Sequence, residues 1–580
     1  MVTPRSRSGR SRRCRRLLSL FYLDWSSPRC ADDCASAAAT AGRDVAIGGA
    51  AAKSSLGLAA AAFVASLSSF QFGYATGILN VPQRIITTDL GLDKDSISWA
   101  VVVSIWALGG LLGAQVAAVV ADSRGRRPLL ALSGLTCGTS GLVAFCAGTA
   151  SLAAGPESVG GRSALCLLVL SRFISGGGCG MATVAAPLYL GEIATTETRG
   201  ALGSLAQLSV VVAIVVAQGL AALITHHLGL HWRLVLGLPA FIGAAQLALL
   251  PLLPETPRYL LSRGLAQGGE ARGEARGEAR GEARGEAREA LRLLRPRGGQ
   301  ASEAVEAELA ALEQELGAGA GGGGRRGVLL LWRDSPSLRL PLLNAAAMMV
   351  GQQLSGINAV FYYSTTFFSS AGLDSPVAGT LLASAVNVLA MLASSAMMEC
   401  AGRRRLLLPL GSISAVGIGG MFLSSVGVTA ALIGKARASA HHEDDWSLNW
   451  LSVSFVLCFV IAFELGPGPI PWQIGAEIFP EHARAAAMSA AAALNWVCNA
   501  AVGLGFPAMS SALGSLVFLP FAAVLLLWLL FTARFTPETR GRSVDEIQVE
   551  FRRLAALGSR KPARAEGDGV PLSSIRQPQG

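Results

Sequence analysis

The sequence predicts an all-α polytopic membrane protein in which twelve transmembrane helices form two pseudo-symmetric six-helix bundles. Three observations carry this reading. Of the 580 residues, 52% are hydrophobic and only 15% are charged, against about 25% charged in soluble domains. Apolar runs of about 20 residues, the length a helix needs to cross a bilayer, recur along the chain. Three short charged segments of the first half also return in the second, in the same order and at nearly one offset. The segment Asp122 to Arg127 (DSRGRR) returns in outline at Glu399 to Arg404 (ECAGRR), 277 positions on. Glu192 with Arg199 returns as Glu477 with Arg484 at an offset of 285, and Glu255 returns as Glu538 at 283.

The elements follow in order. Residues 1–54 are polar and irregular, with a basic run from Arg5 to Arg16 before the short apolar patch Leu17–Leu23. That patch is too short to span. A disordered cytoplasmic tail in touch with anionic lipid is expected; a targeting peptide or a mis-assigned start are the alternatives. Six spans, about 57–79, 98–121, 128–148, 163–187, 202–225 and 231–253, make a first bundle over 55–254. Six more, about 338–370, 377–398, 405–433, 450–474, 484–507 and 513–534, make a second over 338–536, and 537–580 form a C-terminal tail. An even number of spans puts both ends on one side. Arginine gathers in 122–127, at Arg199, in 255–337, at 403–405 and in the tail, so that side is cytoplasmic. Topology therefore explains the net charge of +10 better than a nucleic-acid partner does. Two homologous halves of this kind place a ligand site between them near mid-membrane.

The linker 255–337 holds five tandem GEAR tetrapeptides, Gly269 to Arg288. On a helix each charge there would face its own kind at i,i+4, and a glycine would recur every fourth residue. The repeat therefore reads as a flexible insert. The stretch 301–316 has helical periodicity and reads as a surface helix, with Gly317 to Gly327 as a second flexible joint.

Polar residues inside the apolar runs locate the site. The seventh span carries GQQLSGINAVFYY, Gly351 to Tyr363. Amides at this depth are costly unless they face a partner or a wet cavity. Gln352, Gln353 and Asn358 are neutral and offer both donors and acceptors, which suits an uncharged polyhydroxyl ligand better than an ion. The alternative is that they join helices to one another. The tenth span carries Glu464 just before Gly466-Pro467-Gly468-Pro469-Ile470-Pro471-Trp472, a run that cannot hold a regular helix. A broken helix at membrane depth is tolerated where it lines a cavity or moves. Arg172 in the fourth span is the other embedded charge; it either acts in the membrane or snorkels from a helix end. In the first span, Gln71 and Asn80 can face a cavity.

These runs, QQLSGIN and FELGPGPIPW above all, resemble the facilitative hexose transporters, a sugar-porter branch of the major facilitator superfamily, over about 57–550. The resemblance implies that Gln207, Gln352, Gln353, Asn358, Asn387, Asn495 and Trp496 contact sugar, and that Phe463 and Trp472 contact sugar or close the inner gate, with a flat indole face for its C–H surface. It implies an outer gate at Tyr362 and Tyr363 and a conformational role for Glu464. Glu192, Arg199, Glu255, Arg126 and Arg127 of one half, with Glu399, Arg403, Arg404, Glu477, Arg484 and Glu538 of the other, suit ion pairs between the halves on the cytoplasmic face, or fix topology. Proton-coupled relatives commonly have aspartate where this chain has Ala75, and alanine binds no proton.

The expected function is thus uniport of hexose, D-glucose foremost, by alternating access across the plasma membrane, with monomer sufficient. Proton-coupled sugar or polyol symport, with Glu464 as the proton site, is the second reading; a non-transporting sugar sensor is the third. No P-loop, HExxH or serine elbow is present, so no enzyme chemistry and no cofactor are expected. The ten cysteines are scattered, and Cys30 with Cys34 lacks the partners a zinc site needs.

Overall fold

The computed structural model describes residues 56–93, 96–153, 159–195, 198–270, 274–295, 301–319, 328–370, 373–408, 417–440 and 446–558. The tail expected over 1–54, most of the glycine-rich joint and the chain beyond 558 lie outside the described residues. Among the described residues every regular element is a helix. The first half comprises α1 (Leu56–Gly77), α2 (Ile97–Ser123), α3 (Arg126–Ala153), α4 (Val159–Ile193), α5 (Arg199–Ala221) and α6 (Arg233–Leu249). The linker forms α7 (Pro257–Glu270), α8 (Glu274–Leu294) and α9 (Ala301–Gly319). The second half comprises α10 (Arg339–Leu354), α11 (Ile357–Ser370), α12 (Pro376–Ala401), α13 (Gly417–Ala440), α14 (Trp446–Leu465), α15 (Ile470–Glu477), α16 (Glu481–Leu513) and α17 (Leu519–Phe535), and α18 (Val544–Gly558) follows.

Among the described residues, ten segments are long and apolar enough to cross a membrane. The two further spans expected from sequence are the 17-residue apolar α17 and the seventh span, which is broken into α10 and α11. The break falls at Gly356, whose φ is +90°. A side chain there would also meet the Phe521 ring at 2.7 Å, so both the backbone and the space call for glycine. Inside the first half, α2 and α4 approach backbone to backbone. A Cβ on Gly113 would stand 2.0 Å from the Gly177 carbonyl oxygen, the close contact small residues allow between membrane helices. The halves meet where α2 packs on α16 and α5 on α12.

The linker differs from expectation. Most of the GEAR repeat lies in the regular helix α8. The sequence pattern that argues against an isolated helix becomes an asset once three helices pack. Because the repeat has a four-residue period, each residue type lines up as a stripe. The alanine stripe is buried: Ala283 faces Gly264 of α7, where a Cβ would come within 2.4 Å of it. Ala287, Ala290 and Leu291 join Leu260, Leu261, Val305 and Leu309 in a small apolar core. The arginine stripe meets the acidic face of α9, Arg284 with Glu306 at 3.6 Å and Glu313 at 3.5 Å, and Arg288 with Glu306. From the glutamate stripe, Glu286 takes Arg263 of α7 at 2.5 Å. Like charges along one helix are thus matched by opposite charges on its neighbours. Arg295 ties the bundle to the membrane domain: it donates to the Ile193 carbonyl at the end of α4 at 3.0 Å and to Glu308 at 2.9 and 2.5 Å.

Ala287→Asp would bury a carboxylate with no partner at the centre of this bundle, a loss of at least about 2 kcal/mol. The expected result is rapid tryptic cleavage at the arginines of α8 in the variant and protection in the wild type. A flexible linker would be cut equally fast in both.

Candidate functional site

The site grows from the break between α14 and α15. A helical Pro467 carbonyl would accept from the N–H four residues on, but that residue is Pro471, which has none. Gln352, at the end of α10, supplies the missing donor: its Nε2 donates to the Pro467 carbonyl at 2.9 Å and the Gly468 carbonyl at 2.7 Å. Its Oε1 accepts from Asn495 Nδ2 of α16 at 2.9 Å. Asn495 Oδ1 accepts from Gln353 Nε2 at 3.0 Å, and Gln353 Oε1 accepts from Asn358 Nδ2. Four of the predicted amides therefore form one unbroken donor–acceptor chain across α10, α11 and α16.

Aromatic groups adjoin it. Trp496 enters the first half, edge-on to Trp106 with centroids 5.2 Å apart and to Phe72 at 6.0 Å. It fits because residue 110 is glycine: a Cβ there would lie 2.5 Å from the indole. Phe463 is buried and Trp472 half-buried on the two sides of the break. Asn387 of α12 neighbours Glu464 of α14, and both are buried. Gln207 is half-buried on α5, which runs along α12.

At the end of the bundles away from the arginine-rich loops, the side expected to face outward, the halves are clasped. Asn80 Nδ2 donates to the Phe361 carbonyl at 2.8 Å and to Ser364, and its Oδ1 accepts from Thr365 N and Oγ1 at 3.1 and 2.9 Å. Arg84 donates to Ser369 Oγ at 2.8 Å, and Ser384 donates to Gln218 Oε1 at 2.5 Å. Tyr362 and Tyr363, expected at the outer gate, bond within their own half to Asn499 Oδ1 and the Gly503 carbonyl at 2.9 and 3.0 Å, and α11 is kinked at Tyr363. The Tyr362 ring nevertheless meets Trp106 across the divide, centroids 6.4 Å apart.

Four expectations change. Gln71 faces no cavity; it donates to Gln246 of α6 at 2.5 Å inside the first half. Asn80, expected at the cavity, is instead the outer clasp. Arg172 does not snorkel: it lies well inside α4, donates to the Ala75 carbonyl at 3.1 Å and sits over the Trp106 ring. The charges expected on the cytoplasmic face and expected to pair across the halves pair within each half wherever they are described. Arg126 holds Glu192 at 2.6 Å, and Arg403 holds Glu477 at 3.0 Å. Glu255 accepts the backbone N–H groups of Arg126 and Arg127 at 3.1 Å each, and Glu538 accepts those of Arg403 and Arg404 at 3.0 and 3.1 Å. The physical reason is capping: the first N–H groups of a helix lack internal partners, and the glutamate that follows the last span of each half satisfies them. Burial raises the pKa of the Glu255 carboxyl, against the pull of the N–H groups of Thr256, Arg127 and Arg126. Arg484 donates to the nearby Phe479 carbonyl at 3.2 Å. The side chains of Arg199 and Glu399 lie outside the described residues.

The family model described as "Sugar (and other) transporter" matches residues 61–551. The chain belongs to this sugar transporter family. Curated relatives of the transporter include solute carrier family 2, facilitated glucose transporter member 4 of Mus musculus, 37% identical over 517 residues, with 86% of this chain and 92% of that protein covered. Member 4 of Homo sapiens is 36% identical over 519 residues, with 86% and 92% covered. Member 3 of Oryctolagus cuniculus is 35% identical over 531 residues, with 88% and 95% covered. Among solved structures, the inward open xylose transporter XylE from E. coli superposes with a TM-score of 0.64 at 21% identity, covering 84% of the transporter and 98% of that chain. The proton:xylose symporter XylE bound to 6-bromo-6-deoxy-D-glucose gives 0.65 at 22%, covering 85% and 99%. These likenesses show the fold, a major facilitator architecture.

The transporter's sequence did not single out Trp106, Gly110 or Phe72, although they form the socket for Trp496. A tryptophan beside paired glycines in the second span was the available signal. Gly110→Val would force Trp496 out of that socket. It is expected to destabilise the fold by about 1–3 kcal/mol, read as a fall in the detergent melting temperature, with slower sugar exchange. Asn80→Ala removes the outer clasp. It should lengthen spin-label distances between the outer ends of α1 and α11, as the population moves outward-open.

Proposed function

We propose that the protein is a uniporter that carries hexose, D-glucose foremost, down its gradient by alternating access, in the plasma membrane with both termini cytoplasmic. The observation that carries this reading is the neutral amide chain Gln352–Asn495–Gln353–Asn358. A buried amide chain can exchange bonds among its own members for bonds to sugar hydroxyls. Each exchange is nearly neutral in free energy, which suits a ligand that must be released as well as bound. In this reading Gln207, Asn387, Phe463, Trp472 and Trp496 complete the sugar site, and Glu464, Arg172, Tyr362 and Tyr363 serve the switch between states. The names of the relatives, facilitated glucose transporters, support both the substrate and the downhill mode. Ala75 supports the mode as well, since its only bond to Arg172 is through its carbonyl.

On the cytoplasmic face, the intra-half clusters keep Glu192, Glu255, Arg126 and Arg127, and Glu477, Glu538, Arg403 and Arg404, as two rigid rims. Rocking of one rim against the other opens and closes the inner side.

The test is uptake of labelled glucose into proteoliposomes with and without an imposed pH gradient. Saturable uptake that equilibrates and ignores the gradient is expected. Accumulation above equilibrium driven by inward protons would overturn uniport. Gln352→Leu removes a sugar contact and strips the Pro467 carbonyl of its donor. It should cut transport at least about tenfold, the equivalent of about 1.4 kcal/mol, while surface expression persists. Normal transport would overturn the role given to Gln352.

A further inference from the structure

Glu464 is a buried acid of the second half, and among the described residues no basic side chain faces it. It is 1% exposed. Among the described residues its Oε2 has no hydrogen-bond donor, and neither does Oδ1 of the neighbouring Asn387. The described titratable and charged groups on the elements around it are engaged or turned elsewhere: on the short helix Arg403–Leu407, whose Leu406 carbonyl borders Gly466, Arg404 donates to the Ala533 carbonyl at 2.8 Å and Arg405 is exposed. On α11, Tyr362 and Tyr363 donate to α16. On α15, Glu477 holds Arg403. Lys435 and Arg437 sit in the last turns of α13, and Glu399 lies near the end of α12, while Glu464 lies one residue before the break in its own helix. An ionised carboxylate enclosed in this way, with an orphan oxygen and no cation, is strongly disfavoured. A proton on the carboxyl turns it into a donor. It can then satisfy the orphan amide oxygen of Asn387, so that one proton removes both defects.

We propose that Glu464 is a proton-binding site, held as a neutral carboxylic acid and hydrogen-bonded to Asn387 when the outer side is closed. The site belongs to the hinge. Glu464 Oε2 lies 3.0 Å from where a Cβ on Gly468 would stand, and the Gly468 carbonyl is the one Gln352 holds. Ionisation of Glu464 calls for water at this point and so works against the packed form of the break. The proton here is a structural ligand of one conformation; it need not be carried with sugar, and its binding is compatible with uniport. The inference rests on the reading of the break as a moving part of a sugar transporter, yet its first readout requires no transport.

Infrared difference spectroscopy of the purified protein, wild type minus Glu464→Gln, reads the protonation state directly. A protonated-carboxyl C=O band that is present in the wild type at neutral pH, shifts in D₂O and is lost in the variant is expected. Asn387→Ala should move the same band, and it serves as the second probe where Glu464→Gln does not fold. A carboxylate band in place of the C=O band overturns the proposal. The second readout is equilibrium exchange of glucose with equal pH on both sides, from about pH 6 to about pH 10, a range that brackets the buried carboxyls known to hold protons. Exchange by the wild type should fall several-fold as pH rises, and Glu464→Gln, neutral throughout, should give a flat profile. The same fall in the variant overturns the proposal. Absence of glucose exchange at every pH, with the C=O band present, would count against the glucose reading alone.

Discussion

The structure depends on one substitution of partners: the side-chain amide of Gln352 stands in for a backbone donor that Pro471 cannot provide. In water a carbonyl left open by proline would be solvated at little cost. At membrane depth it must find a protein donor or a wet cavity. Gln352 meets that demand and passes the constraint on, because its own oxygen must then be satisfied. Asn495 does this, Gln353 satisfies Asn495, and Asn358 satisfies Gln353. A defect in one helix thus fixes the rotamers of four amides on three others. The amide network is thus held by the protein's own hydrogen bonds around the break in the tenth span.

The second organising principle is repetition with different outcomes. Each half ends its last span in a Pro-Glu-Thr sequence, and each glutamate turns back to cap the helix that follows the half's first charged loop. The two charged rims are therefore equivalent in build. At mid-membrane the equivalence ends. The first half contributes an aromatic socket, Phe72 and Trp106 beside Gly110, and the second contributes the indole that fills it along with most of the amides. Rigid, matched rims with an asymmetric centre are what rocking motion about a central site requires.

Much of this was legible in the sequence. The apolar spans, the two halves and the broken tenth span follow from hydropathy, proline and the offset of repeated charges, because the bilayer leaves few alternatives; the break of the seventh span at Gly356 was not legible, since its run reads as one continuous helix. The amides of the second half were legible because polar groups in an apolar run need a reason. Partner choice was not. Glu192 and Arg126 are visible as charges, but whether they pair within a half or across it depends on helix-end geometry that no spacing encodes. Asn80 shows the same limit: its polarity marks it, and only the packing of α11 shows that it closes the outer side. The linker failed for a sharper reason. Propensity and i,i+4 charge rules describe an isolated helix, and α8 is never isolated; Glu306, Glu313 and Arg263 reverse the sign of each objection.

The GEAR helix carries a consequence for the inheritance of this sequence. Four residues advance a helix by about 400°, so each repeat turns the stripes by about 40° relative to the preceding one. Tandem repeats gain and lose units by copying errors, always in whole tetrapeptides, which leave the reading frame and composition intact. Here each unit gained or lost would also swivel the arginine stripe away from Glu306 and Glu313 and the alanine stripe away from Gly264. The number of copies is therefore a structural quantity. One step either way is absorbed by long arginine side chains, whereas several steps would bring glutamate against glutamate. Variation in repeat number should be confined by helix geometry to a narrow range about the present five.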